Sequence, residues 1–194
     1  GDPELLTLKA LRLLQTADVI LYDRLVGDEI LALARRDAVR LYVGKAKGAH
    51  SVPQGEIEQH LVEYARQGKI VVFVPPGITA ATGCAASAGM PLTHRDLAQA
   101  VTFATGHAKD DGEPDLDWRA LAALGHTLVV YMGVGKADAI ARNLIDNGRA
   151  GATHVAVIEK GTTPQEKILK GRLADLGALV RVGGVEGPAI LVIG

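Results

Sequence analysis

Thr7-Leu8-Lys9-Ala10-Leu11-Arg12-Leu13-Leu14-Gln15-Thr16-Ala17-Asp18-Val19-Ile20-Leu21-Tyr22-Asp23 sets a helix directly before a strand. Thr7 is of the residue type that accepts a backbone N–H at a helix start. Leu8, Leu11 and Leu14 follow at a spacing that places them on one helix face. Val19 to Tyr22 is a short unbroken apolar run, the pattern of a strand covered on both faces, and it stops at a charge, Asp23. A helix packed beside a doubly covered strand is the building unit of an α/β protein.

The same alternation continues outward. Leu41-Tyr42-Val43 reads as a strand ending at Gly44-Lys45. Between Pro53 and Gln67 the residues Ile57, Leu61, Tyr64 and Ala65 recur at helical spacing, and Gly68 stands where a helix C-cap belongs. Ile70-Val71-Val72 reads as a strand, and a helix is expected from Ile78 to Ala88. The second half begins near Met90-Pro91. Its strands are Val101 to Ala104, ending at Thr105-Gly106-His107; Leu128 to Tyr131, ending at Met132-Gly133; Val155 to Ile158; and Ala189 to Val192. Ala137, Ile140, Ala141, Leu144 and Ile145 line one helix face, closed by Gly148. The polar stretch from Lys109 to Asp117 carries Gly112 and Pro114 and is expected to be an exposed loop. The rhythm predicts parallel sheets with crossover helices.

Composition agrees with this class. Hydrophobic residues make up 48% of the 194 and aromatic ones only 4%, a mix suited to close helix-on-sheet packing. The 21 basic and 22 acidic residues give a net charge of −1, which argues against a nucleic-acid-binding face. No apolar run approaches the ~20 residues of a membrane span, so neither nucleic acid nor membrane is an expected partner. The single cysteine, Cys84, lies among small residues and is expected to pack inertly; it excludes an intrachain disulfide and points to a cytoplasmic setting. The six histidines show no metal-ligand spacing, so no metal site is expected.

One place breaks the rhythm. Val72-Phe73-Val74-Pro75-Pro76-Gly77 runs strand sequence straight into a proline turn. Consecutive parallel strands need a crossover of about a dozen residues, and none lies here. The expectation is a skipped mobile segment, with the Cα atoms of Val72 and Phe73 farther apart than the ~3.8 Å of neighbours.

Candidate functional residues collect at the carboxyl ends of the expected strands: Asp23, Lys45, His107, Met132 and Gly161. Ligands of open α/β sheets bind outside those ends. Asp23 offers a carboxylate for proton transfer beside Arg24, a binder of anions. Pro75 to Ala81 places a helix N-terminus beside Gly77, where backbone N–H groups can meet a ligand. Gly133-Val134-Gly135-Lys136 is not a phosphate-binding loop, because position 130 is Val and position 137 is Ala.

Tyr22-Asp23-Arg24-Leu25-Val26 resembles the uroporphyrinogen-III C-methyltransferases. So do Gly1 to Thr7, Val43-Gly44-Lys45, Pro76 to Ala81, Pro91-Leu92-Thr93-His94-Arg95-Asp96, Thr105-Gly106-His107, Tyr131-Met132-Gly133 and Glu159-Lys160-Gly161-Thr162, in family order. The resemblance implies the tetrapyrrole-methylase fold, two α/β domains with the active site in the cleft between them. The boundary is expected at residue 90, with residues 1–90 carrying tetrapyrrole and catalytic groups and residues 91–194 completing the cofactor site. It implies methylation of uroporphyrinogen III at two pyrrole carbons by S-adenosylmethionine, giving precorrin-2 and S-adenosylhomocysteine, on the way to sirohaem or cobalamin. It also implies a homodimer. On matching positions, Asp23 becomes the proton acceptor and Lys45 the proton donor, while Thr79, Ala80, Met132 and Gly161 contact S-adenosylmethionine. Arg24, His94, Arg95 and His107 are the candidates for gripping the substrate carboxylates.

The chain departs from the family pattern. Between Val72 and Phe73 the family carries a Gly-Gly-Asp segment that binds S-adenosylmethionine, then a Gly-rich loop and a helix. Another precorrin methyltransferase is one alternative. A tetrapyrrole-binding module without methyl transfer is the other, if that stretch is truly deleted.

Overall fold

The computed structural model describes residues 2–44, 53–73, 77–108, 112 and 114–194. Lys45, the Pro75-Pro76 turn and part of the expected 109–117 loop lie outside the described residues. The chain forms two compact units, Gly1–Ile78 and Thr79–Gly194. The expected division at residue 90 placed the helix after Ile78 in the first unit; by its contacts that helix belongs to the second.

The first unit contains α1 (Leu8–Thr16), β1 (Val19–Tyr22), α2 (Asp28–Ala32), β2 (Val39–Tyr42), α3 (Gln54–Arg66) and β3 (Val71–Phe73). The Thr7 hydroxyl accepts from the Ala10 amide at 3.1 Å and starts α1 as expected. The buried face differs from the expectation: Ala10 and Leu14 are fully buried, followed by Ala17, while Leu8 is 72% exposed. The i, i+4, i+7 row of small and large residues faces the sheet better than the leucines at i, i+3, i+6. Gly68 ends α3 at φ 73, a conformation that favours glycine.

The three strands are parallel in the order β2-β1-β3. Successive residues of β1 point to opposite faces. Ile20 packs with Leu14, Ala17, Leu31 and Val72. Val19 and Leu21 pack with Val43 and Ile57, and Leu61 and Tyr64 of α3 lean on that cluster. The chain runs unbroken through Val72 and Phe73, which pair in register with Ile20 and Leu21. Val72 and Phe73 thus lie in one strand, without the expected separation of their Cα atoms. Asp18 ties the strand starts together, accepting from the Ile70 amide at 2.8 Å and from Arg35 at 2.9 Å.

The second unit contains α4 (Ala80–Ser87), β4 (Val101–Thr105), α5 (Trp118–Ala123), β5 (Thr127–Tyr131), α6 (Ala137–Asp146), β6 (His154–Glu159), β7 (Lys167–Arg172), α7 (Leu176–Val182) and β8 (Ala189–Ile193). The sheet order is β4-β5-β8-β6-β7. Only β4 and β5 pair in parallel; β8 is antiparallel to both its neighbours, and β6–β7 is an antiparallel hairpin. The expectation of an all-parallel sheet fails here. The hairpin reverses the chain once, so the strand reached through α7 enters antiparallel. β7 escaped the sequence reading because Lys167, Lys170, Gly171 and Arg172 leave it only the apolar pair Ile168-Leu169, a composition tolerated at a sheet edge.

Alternation again separates two faces. Leu128, Val130, Val155, Val157, Leu191 and Ile193 pack against α6 and α7. Val129, Ala156, Ile158, Ile190 and Val192 pack against Ala81 and Cys84 of α4. No helix among the described residues is long and apolar enough to cross a membrane.

Candidate functional site

β5 and β6 both run antiparallel to β8, so they point the same way, and β4 is parallel to β5. The carboxyl ends of β4, β5 and β6 therefore share one edge of the second unit. The register makes this explicit: Thr105 pairs with Tyr131, Tyr131 with Ile190, and Glu159 with Ala189. The loops leaving that edge begin with Gly106-His107, Met132-Gly133 and Lys160-Gly161-Thr162. Among the described residues, the non-glycine residues at positive φ are Met132 (54°), Lys160 (49°) and Thr162 (63°). All three stand on this edge. Backbone held in this costly region clusters at functional sites.

Helix α4 is attached to the edge at its start. Thr79 makes no side-chain cap of its own. Instead, Tyr131 Oη accepts from the Ala81 amide at 2.9 Å and shares a short hydrogen bond with the Thr79 hydroxyl. Tyr131 also meets Phe103 edge to face, with ring centroids 6.3 Å apart. Met132, 64% exposed, follows Tyr131 directly. The edge thus ties the start of α4, with Thr79 and Ala80, to the last residue of β5, which Met132 follows.

Two glycines permit close approach. A Cβ on Gly106 would overlap the Cα of Gly133, so the loops after β4 and β5 touch backbone to backbone. A Cβ on Gly161 would overlap the Cys84 sulfur, so the loop after β6 lies flat on α4. Cys84 is buried in the sheet-facing core, as expected; burial pushes its thiol pKa up, and the nearby Glu166 carboxylate adds to the rise.

Glu159 closes β6 as a buried carboxylate. It accepts from the Glu186 amide at 2.8 Å and the Gly187 amide at 2.9 Å. Burial alone would raise its pKa; the two amides, with Lys167 and Lys160, outweigh it and hold the carboxyl below the ordinary glutamate value. Glu166, at the far end of the β6–β7 loop, accepts from Ser87 Oγ at 2.5 Å and from the Thr162 amide at 2.6 Å.

In the first unit, Asp23 follows β1 and accepts from the Leu25 amide at 2.9 Å, with Arg24 exposed beside it. β1 and β2 are parallel, so Gly44 leaves the sheet on the same side as Asp23; a Cβ there would meet the Arg24 amide nitrogen at 3.1 Å. Lys45 lies outside the described residues. His107 stands at the carboxyl end of β4, on the edge already described. His94 and Arg95 do not. Their turn is closed by the His94 amide on the Ala98 carbonyl at 2.8 Å, and it precedes the amino end of β4. Among the described residues no group of three or more His, Cys, Asp or Glu side chains is placed to hold a metal ion.

Sequence reasoning missed Tyr131, Glu159 and Glu166. Tyr131 and Glu159 end strands and were within reach of the rule that singled out Met132. Glu166 meets Thr162 four residues away, but its bond to Ser87 spans 79 positions, beyond the reach of any local pattern.

This geometry has counterparts. The family model of the tetrapyrrole (corrin/porphyrin) methylases matches residues 1–75 and 74–177. The siroheme synthase of Psychromonas ingrahamii is 50% identical over 221 residues, covering all of this chain and 46% of that protein. The chain thus spans about half the length of such curated relatives. The alignment is 221 positions long against 194 residues, so 27 positions face no residue of this chain. The uroporphyrin III C-methyl transferase of Thermus thermophilus is 36% identical, with all of this chain and 93% of that one covered at a TM-score of 0.75. Its complex with S-adenyl homocysteine superposes at 0.72 with 37% identity, covering all of this chain and 88% of that one. A cobalt precorrin-4 methyltransferase superposes at 0.79 with 28% identity, covering all of this chain and 90% of that one. On the matched family model and on whole-length similarity to a solved member, the chain belongs to the tetrapyrrole (corrin/porphyrin) methylases.

Proposed function

We propose that the chain methylates uroporphyrinogen III at two pyrrole carbons, using S-adenosylmethionine, to give precorrin-2. The observation that carries this reading is the strained edge of the second unit, where Met132, Lys160 and Thr162 all hold positive φ. Its lining suits a nucleoside bearing a sulfonium. Hydroxyls come from Thr79 and Tyr131, an exposed thioether from Met132 and an exposed ring from Phe103. The carboxylates of Glu159 and Glu166 are engaged by backbone amides. Thr79, Ala80, Met132 and Gly161 would hold the cofactor, which supplies an electrophilic methyl group when bound. The Gly-Gly-Asp segment expected from the resemblance is absent, so this site is drawn from the second unit.

The chain's own residues then orient the substrate and move a proton. A ring carbon attacks the sulfonium methyl, displacing S-adenosylhomocysteine, and the cationic ring system then sheds a proton from elsewhere on the macrocycle; Asp23, at the carboxyl end of β1, accepts it. Lys45 donates. Arg24 and His107 grip substrate carboxylates through charge-assisted hydrogen bonds. His94 and Arg95 sit at the amino end of β4 and take no part in this reading. The working protein is a cytoplasmic homodimer.

A second reading, methylation of a later corrin intermediate, is favoured by the TM-score of 0.79 to the cobalt precorrin-4 enzyme. One experiment separates the readings. S-adenosylhomocysteine is titrated into the intact protein while the melting temperature is followed, and labelled methyl transfer is then measured on uroporphyrinogen III and on precorrins. A ligand that binds only the folded state must raise the melting temperature. The expected result is a rise and two methyl groups per uroporphyrinogen III. No rise at saturation removes the cofactor assignment. Label only on a precorrin selects the second reading, and tetrapyrrole binding without transfer makes the chain a binding module.

A further inference from the structure

We infer that Glu166 is a positioning residue for the cofactor site, acting through Thr162 and Ser87 on the loop that carries Gly161; the inference rests on the proposed binding of S-adenosylmethionine. The β6–β7 loop spans residues 160–166 and holds two of the strained positions, Lys160 at φ 49° and Thr162 at φ 63°. Such a loop keeps its shape only where its surroundings over-determine it. One side chain supplies much of that constraint. A single carboxylate oxygen of Glu166 accepts from the Thr162 amide inside the loop at 2.6 Å and from Ser87 Oγ on α4 at 2.5 Å. Both bonds involve a charged acceptor, the stronger class of hydrogen bond. Further turns stiffen the middle of the loop: the Thr163 hydroxyl donates to the Lys160 carbonyl at 2.6 Å, and the Glu166 amide to the Thr163 carbonyl at 3.0 Å.

The consequence falls on Gly161, between the two strained residues. Its backbone lies against Cys84 so closely that no Cβ fits. Cys84 is three residues from Ser87 on α4, the helix that opens with Ala80. Glu166 therefore sets the height of Gly161 above the helix whose first turn supplies Thr79 and Ala80. It need not touch the cofactor to do so.

The test uses the intact wild-type chain with Glu166→Ala, Glu166→Gln and Ser87→Ala. S-adenosylhomocysteine affinity is measured by calorimetry, amide hydrogen exchange of residues 160–166 without ligand, and KM for each substrate by turnover. Gln keeps an oxygen acceptor for both donors without the charge. Expected for Glu166→Ala are a Kd raised about tenfold, the equivalent of one lost hydrogen bond to a charged group, and faster exchange across the loop. KM for S-adenosylmethionine rises while KM for uroporphyrinogen III stays unchanged. Glu166→Gln recovers most of the affinity, and Ser87→Ala shows a smaller loss in the same direction. A merely structural residue would lower the melting temperature without splitting the two KM values. Should Glu166→Ala fail to fold, the Gln and Ser87 variants carry the comparison. A wild-type chain that binds S-adenosylhomocysteine beside a Glu166→Ala chain that binds it within twofold overturns the positioning role alone. A wild-type chain that does not bind overturns the cofactor reading and this inference with it.

Discussion

At the scale of single residues, Asp23 forms a turn, and the proton-accepting role proposed for it can be separated from that turn by substitution. One carboxylate oxygen accepts from the Leu25 amide at 2.9 Å and shapes the exit from β1. Asparagine keeps an oxygen for that amide and loses only basicity. Asp23→Asn should therefore fold normally and bind S-adenosylhomocysteine as before, while turnover at saturating uroporphyrinogen III falls by about 10²–10⁴-fold, the usual range for a positioned acid or base. A near-normal rate would leave Asp23 as a turn-forming residue only. Glu159 makes a different kind of prediction, about pH. Its folded-state pKa is depressed, so its ionised form stabilises the fold above the unfolded glutamate value of ~4.3. That contribution disappears as pH falls through the lower folded value. Glutamine can still accept from the Glu186 and Gly187 amides but carries no charge. Urea denaturation of wild type and Glu159→Gln should show wild type more stable at pH 7, with the two curves converging below about pH 4.3. A gap independent of pH would mean the charge has no part in holding the turn before β8.

At the scale of elements, α4 is the most informative. It has only eight residues, built largely from Ala, Gly and Cys, and it packs on the sheet through Ala81 and Cys84. Its start depends on a tyrosine from another element, because Thr79 offers no cap of its own. Tyr131→Phe removes the acceptor of the Ala81 amide and the partner of the Thr79 hydroxyl while keeping the ring against Phe103. Loss of a helix cap costs about 0.5–2 kcal/mol. The variant should melt lower by a few degrees, at ~2–4 °C per kcal/mol for a chain of this size, and hold S-adenosylhomocysteine several-fold more weakly. Unchanged affinity at a lowered melting temperature would confine Tyr131 to a structural role. The expected elements α1, β1, α3, β4, β5, α6, β6 and β8 all formed, because each carries a strong apolar period or an unbroken β-branched run. β7 did not stand out, since Lys167, Lys170, Gly171 and Arg172 leave it only two apolar residues, Ile168 and Leu169.

At the scale of the whole molecule, the chain is a tetrapyrrole methylase with 27 alignment positions unfilled against a relative half identical to it. The family model meets itself at residues 74–75, immediately after β3. β3 runs through Val72 and Phe73, which both satisfy the register of β1. The first unit is accordingly a three-stranded parallel sheet, and the second a five-stranded mixed one. The division of labour also shifts. α4, with Thr79 and Ala80 at its start, packs with the sheet that carries Met132 and Gly161, so all four proposed cofactor contacts belong to one unit.

The order of residues was enough to predict the α/β class, the start of α1 at Thr7, and the ends of α3 and α6 at Gly68 and Gly148. These depend on local sterics, on capping and on the period of apolar residues, all of which span a few positions. It could not predict that β8 would enter between β5 and β6, since strand order is settled by which apolar faces bury each other across the chain. Nor could it reveal that Tyr131 caps α4 or that Glu166 clamps the Gly161 loop. Those hydrogen bonds join residues 50 and 79 positions apart. They exist only because the sheet turns the ends of β5 and β6 to one edge and lays α4 beside them.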